Sequence, residues 1–110
     1  MTGATSAANK RRASRKAVFN RARITYDKGR TSLRCAIRDI SSTGARIEIG
    51  RSNPLPAIVH LVDLPQRIAY EASVVWRRPP LYGLAFVQSQ PLSSADTPLF
   101  LRKLWFESVR

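Results

Sequence analysis

The chain has 110 residues, 44% of them hydrophobic, enough for one domain with a buried core and too short for a second. Its 19 Lys and Arg against 7 Asp and Glu give a formal net charge of +12, which suits an anionic partner: a nucleic acid, a nucleotide, a membrane surface or an acidic protein. No apolar run approaches the roughly 20 residues of a membrane-spanning helix, and the basic beginning has no apolar h-region, so the expectation is a soluble, cytoplasmic protein without membrane insertion.

Residues 1–9, "MTGATSAAN", are small and polar and are expected to form a disordered tail. "KRRASRK" then places five positive charges within residues 10–16, and the segment 10–17 reads as a basic arm leading into a first strand. In that strand Val18, Ala22, Ile24 and Tyr26 share one face, and Arg21, Arg23 and Asp27 the other. "DKGR" signals a turn. "TSLRCAIRD" resumes the alternation, with Leu33, Cys35 and Ile37 inward and Arg34 and Arg38 outward, so a hairpin is expected.

A polar knot follows, "DISSTG", before "ARIEI" alternates again. Asp and Ser bond nearby backbone and Gly accepts positive φ, so these residues suit a tight turn; they equally supply acceptors for a ligand. "AIVHLVDL" reads as a more apolar strand. "RIAYEASVVWRR" puts Ile68, Tyr70, Ala72, Val74 and Trp76 on one face, with Tyr70 and Trp76 expected in the core, and "LYGLAFVQ" forms a last strand in which Gly83 marks a bulge or a close backbone approach. Six short strands joined by tight turns point to an antiparallel barrel or sandwich. The final segment changes to helical period over 97–109: Thr97 can cap, Pro98 can take the first helical position, and the apolar stripe of Phe100, Leu101, Leu104 and Trp105 is expected to close one mouth of the barrel.

The single cysteine, Cys35, has no disulfide partner and reads as a small buried hydrophobe; the single histidine, His60, reads as a strand residue. With one His, one Cys and no convergent carboxylate pair, no acid, base or metal constellation is recognisable, and the chain is not expected to be an enzyme or to need a cofactor.

The order basic run, strands, "DISSTG", strands, "VVWRR", "YGLAFV" resembles the PilZ domain family over roughly residues 10–88. Two family motifs carry the likeness. Arg11 and Arg15 in "RRASR" have the Arg-x-x-x-Arg spacing, and Asp39, Ser41 and Gly44 satisfy Asp/Asn-x-Ser-x-x-Gly. The resemblance implies an all-β fold, a six-stranded antiparallel barrel over 18–88 with a C-terminal amphipathic helix, and a ligand, cyclic di-GMP. It also implies a bacterial second-messenger adaptor that works through an unidentified downstream protein, with motility, exopolysaccharide production or virulence as typical processes.

By the same resemblance Arg11 and Arg15 are assigned to guanine and phosphate contacts, with Arg12 as an auxiliary. An Arg fork suits guanine O6 and N7, a purine face or a phosphate, in ways Lys does not. Asp39 can accept from guanine N1–H and N2–H, Ser41 can bond beside it, and Gly44 would permit close approach. Two alternatives stand beside this reading. One is a basic nucleic-acid-binding small barrel, which the lack of clustered exposed aromatics on the strands disfavours. The other is a PilZ-like protein-interaction module that does not bind nucleotide.

Overall fold

The computed structural model describes residues 16–50, 54–94 and 97–108. Alternating apolar residues produce six strands: β1 (Lys16–Tyr26), β2 (Thr31–Ile40), β3 (Gly44–Glu48), β4 (Ile58–Asp63), β5 (Ile68–Arg78) and β6 (Leu81–Pro91), followed by the helix α1 (Leu99–Ser108). All pairings are antiparallel, and they close into a barrel in the order β1-β2-β3-β6-β5-β4, with β4 returning to β1. Of the two architectures that the strand pattern allowed, the barrel is the one formed. Closure gives every strand a partner on each side and so removes the exposed edges.

The interior is filled by the residues whose period-two pattern marks them as inward. Ile24, Ile37, Ile47 and Leu61 are fully buried, and Ala72, Tyr82 and Leu84 pack with them. Burying each large apolar side chain contributes about 1.5–3 kcal/mol. Cys35 packs against this cluster as a small hydrophobe, and burial pushes its thiol pKa up to about 12 despite the nearby Arg23 guanidinium. Tyr70 also belongs here, stacked on Phe86 with ring centroids 4.0 Å apart.

A second apolar cluster lies outside the barrel. Val62 and Ala69 have opposite parity to the interior residues Leu61 and Tyr70, so they face outward, where Leu64, Leu92, Leu101 and Phe100 cover them. The helix is therefore laid across the outer side of β4 rather than over a barrel mouth as its stripe suggested. The aliphatic column of β4 is apolar on both faces and needs that cover.

Thr97 does not cap the helix. Its hydroxyl donates to the Pro91 carbonyl at 2.7 Å, and it is the Pro98 carbonyl that accepts the first helical bonds, from the Leu101 and Arg102 N–H groups.

His60 also faces this side, directly opposite Glu71, with its ring edge-on to Phe100 at 5.8 Å between centroids. Burial lowers the His60 pKa below its ordinary 6.5, and the Glu71 carboxylate only partly offsets this. Since the folded state resists protonation, the unfolded state binds more protons as pH falls through about 6.5. This contribution to stability is complete above that pH and is lost below it. The melting temperature is accordingly expected to fall between about pH 7.5 and 5.5, and to fall less in His60→Gln; equal slopes by calorimetry would count against it.

Candidate functional site

Asp39 reaches the surface through a bulge. Leu33, Cys35 and Ile37 alternate into the interior, and strict alternation would carry Asp39 inward with them. Instead the β2–β3 register passes from Ile37↔Ile47 to Asp39↔Arg46, leaving Arg38 as an extra residue. The extra residue resets the parity, so Asp39 faces outward. Arg38 forms an ion pair with Glu48, and the Asp39 carboxylate forms one with Arg46, 2.9 Å from its Nε.

A second bulge does the same for Trp76. The β5–β6 register passes from Val74↔Leu84 to Trp76↔Gly83, with Val75 as the extra residue. Trp76 was expected in the core beside Val74; the bulge turns it out, and it is 38% exposed. Its indole rests on Gly83 so closely that a Cβ there would stand 2.0 Å from Nε1. The close approach expected of Gly83 is thus found, while the bulge itself lies across from it.

Between these two outward side chains a pocket of about 400 Å³ opens on the outer surface, lined by Asp39, Ala45, Arg46, Val75, Trp76, Gly83 and Leu84. It offers a carboxylate, a guanidinium and an indole within one concavity.

Of the residues singled out in the sequence, Asp39 lines this pocket, whereas Ser41 and Gly44 build the turn beside it. The Ser41 N–H donates to the Gly44 carbonyl at 2.8 Å, and its hydroxyl accepts from the Thr43 N–H at 3.2 Å. Gly44 has no positive φ. It opens β3 opposite Ala85, where a Cβ would stand 2.3 Å from the Leu84 carbonyl oxygen, so glycine is needed for strand approach. Arg11, Arg12 and Arg15, with the tail 1–9 and residues 10–15 of the arm, lie outside the described residues. The backbone at Lys16 and Ala17 already pairs with Ile40 and Asp39, so β1 begins within the expected arm, alongside the pocket.

The sequence pattern assigned Trp76 to the core, whereas it lines the pocket together with Arg46. A signal for each was present. In "DISSTGAR" a tight turn brings Asp39 and Arg46 opposite each other, and the hairpin at "RRPP" brings Gly83 opposite Trp76. Arg77, by contrast, donates to the Leu55 carbonyl at 2.6 Å.

The closed six-stranded barrel carries an open polar and aromatic pocket on its outer wall. The PilZ domain family profile matches residues 9–97, and the chain belongs to that family, whose members are cyclic di-GMP receptor domains rather than typical enzymes. A comparison with curated proteins finds no match. Among the described residues no helix is long and apolar enough to cross a membrane.

Two substitutions test this geometry. Gly44→Ala drives a Cβ into a backbone carbonyl that cannot swing away, and should cost roughly 1–3 kcal/mol in urea unfolding. Gly83→Ala should displace the indole into water and red-shift Trp76 emission, read in a Trp105→Phe background, with the barrel intact by circular dichroism. An unshifted spectrum would mean that the ring is not seated on Gly83.

Proposed function

We propose that the protein is a cyclic di-GMP receptor that binds one guanine of the messenger in the Asp39–Arg46–Trp76 pocket. The observation that carries the reading is the outward pairing of a carboxylate with a guanidinium next to an exposed indole. A guanine edge presents an acceptor, O6, beside two donors, N1–H and N2–H. Asp39 accepts from the two donors, Arg46 donates to O6 or to a phosphate, and Trp76 stacks on the purine face. Ser41 and Gly44 act by holding the turn that positions Asp39.

Arg11 and Arg15 complete the site from the arm. The chain enters β1 next to the pocket, where Ala17 pairs with Asp39. The Arg11 and Arg15 guanidiniums clamp phosphate and guanine, with Arg12 in support. Ordering the arm costs about 1–2 kcal/mol per residue in backbone entropy, which the charged contacts must exceed. The ordered arm then presents a new surface to a downstream protein, so the output is an adaptor's and no reaction is catalysed.

The test is calorimetric titration with cyclic di-GMP. Stacking and bidentate contacts are each worth about 1–3 kcal/mol, so Arg15→Ala, Asp39→Ala and Trp76→Ala should each weaken binding by about tenfold or more, while Arg78→Gln leaves it unchanged. Undiminished affinity in the Asp39 and Trp76 variants, with folds intact, removes the pocket from the mechanism. Binding that depends on salt but not on Asp39 would instead support the nucleic-acid reading.

A further inference from the structure

Three arginines share the outer side of the β1–β2 ribbon. Ala22, Ile24, Leu33 and Cys35 belong to the interior cluster, so Arg21, Arg23 and Arg34, which alternate with them, point outward. Arg23 stands directly opposite Arg34, and Arg21 lies two residues along β1, opposite Ala36. Cross-strand partners are about 5 Å apart and diagonal neighbours about 7–8 Å, within the roughly 8 Å over which physiological salt screens a charge. Lys28 and Arg30, both exposed, carry the positive charge on into the connecting turn.

Within the chain little neutralises this cluster. Among the described residues neither Arg21 nor Arg34 has an ion pair, and Arg23 donates to the neutral Ser32 hydroxyl. The described carboxylates are engaged elsewhere: Asp39 with Arg46, Glu48 with Arg38, Glu71 with Gln88, and Asp63 buried on the inner side opposite Ala22. Asp27 is the one acid of the connecting turn, beside Lys28 and Arg30. Like charges set directly opposite each other weaken a strand pair. A local rule broken in this way is characteristic of a functional surface, where the compensation comes from outside the chain.

We propose that the outer face of the β1–β2 ribbon binds the phosphate backbone of a nucleic-acid duplex, without reading its sequence. The positions that share this side with the arginines, Thr25, Ser32 and Ala36, are small, so the face has no aromatic or large aliphatic side chain. Protein partners are held at an apolar or aromatic centre, and peripheral membrane binders sink apolar side chains into the bilayer; neither finds an anchor here. Phosphate oxygens need only donors, and Arg, the majority cation of this face, pairs with them bidentately. The scarcity of exposed aromatics that disfavours stacking of single-stranded bases is no obstacle, because a duplex keeps its bases stacked inside and shows phosphate outward. None of these arginines lines the Asp39 pocket, so the inference stands apart from the function proposed above.

The test titrates a short labelled DNA duplex of arbitrary sequence with the full chain, read by fluorescence anisotropy over a series of salt concentrations. Arg21→Gln and Arg34→Gln, each shown folded by a thermal melt, should each weaken binding about threefold or more and lower the slope of log affinity against log salt by about 0.9, the share of one phosphate contact. Arg34→Lys keeps the charge and should keep the slope. Arg78→Gln makes the same change in charge at the far end of β5 and should leave slope and affinity as they are. Absence of duplex binding at low salt, a slope unmoved in both Gln variants, or tighter binding of polyglutamate or phosphatidylserine vesicles through the same arginines overturns the proposal. Asp39→Ala separates the two readings: it abolishes cyclic di-GMP binding and leaves the salt slope for the duplex at its wild-type value.

Discussion

The pocket depends on two interruptions of strand alternation, at Arg38 in β2 and at Val75 in β5. In a small barrel each side chain faces either a filled interior or the outside, and nothing lies between. A regular β2 would bury Asp39 beneath Ile37, where a carboxylate is costly unless fully paired. A regular β5 would force Trp76 into an interior already filled by Val74 and Tyr82. One extra residue in each strand moves both to the outer wall, on strands that meet through β3 and β6.

Two glycines make that arrangement possible, and both act by absence of a side chain. Gly83 leaves room for the indole, and Gly44 lets β3 come against the Leu84 carbonyl so that Arg46 falls opposite Asp39. The turn between β2 and β3 is then closed by the bonds of Ser41 to Thr43 and Gly44. The knot forms the turn expected of it, with the hydroxyl and the glycine supplying the local geometry, and it places Asp39 on the lining of the surface pocket.

The same alternation sorts the charge. Arg21, Arg23 and Arg34 stand on the outer side of the β1–β2 ribbon, with Arg23 directly opposite Arg34. Like charges so placed repel, and Arg23 is steered onto Ser32 by bonds of 3.0 and 2.8 Å. Part of the basic character thus lines the β1–β2 ribbon, while Ile58, Val75 and Val87 on β4, β5 and β6 are exposed and aliphatic.

Much of this was written in the sequence, because period-two alternation and turn residues act locally. The strands around Ile24, Ile37, Ile47 and Leu61, the break at "DKGR", and the amphipathic C-terminal segment could all be read from neighbours a few residues apart. Asp39 was legible as a candidate because its motif is contiguous. Tertiary structure alone decided closure into a barrel, the seat of α1 on Val62 instead of a mouth, and the exposure of Trp76. Those outcomes turn on which residue of one strand meets which of another, and a bulge, one unpaired residue, reverses the side on which every later residue lies without leaving a signature in its own strand.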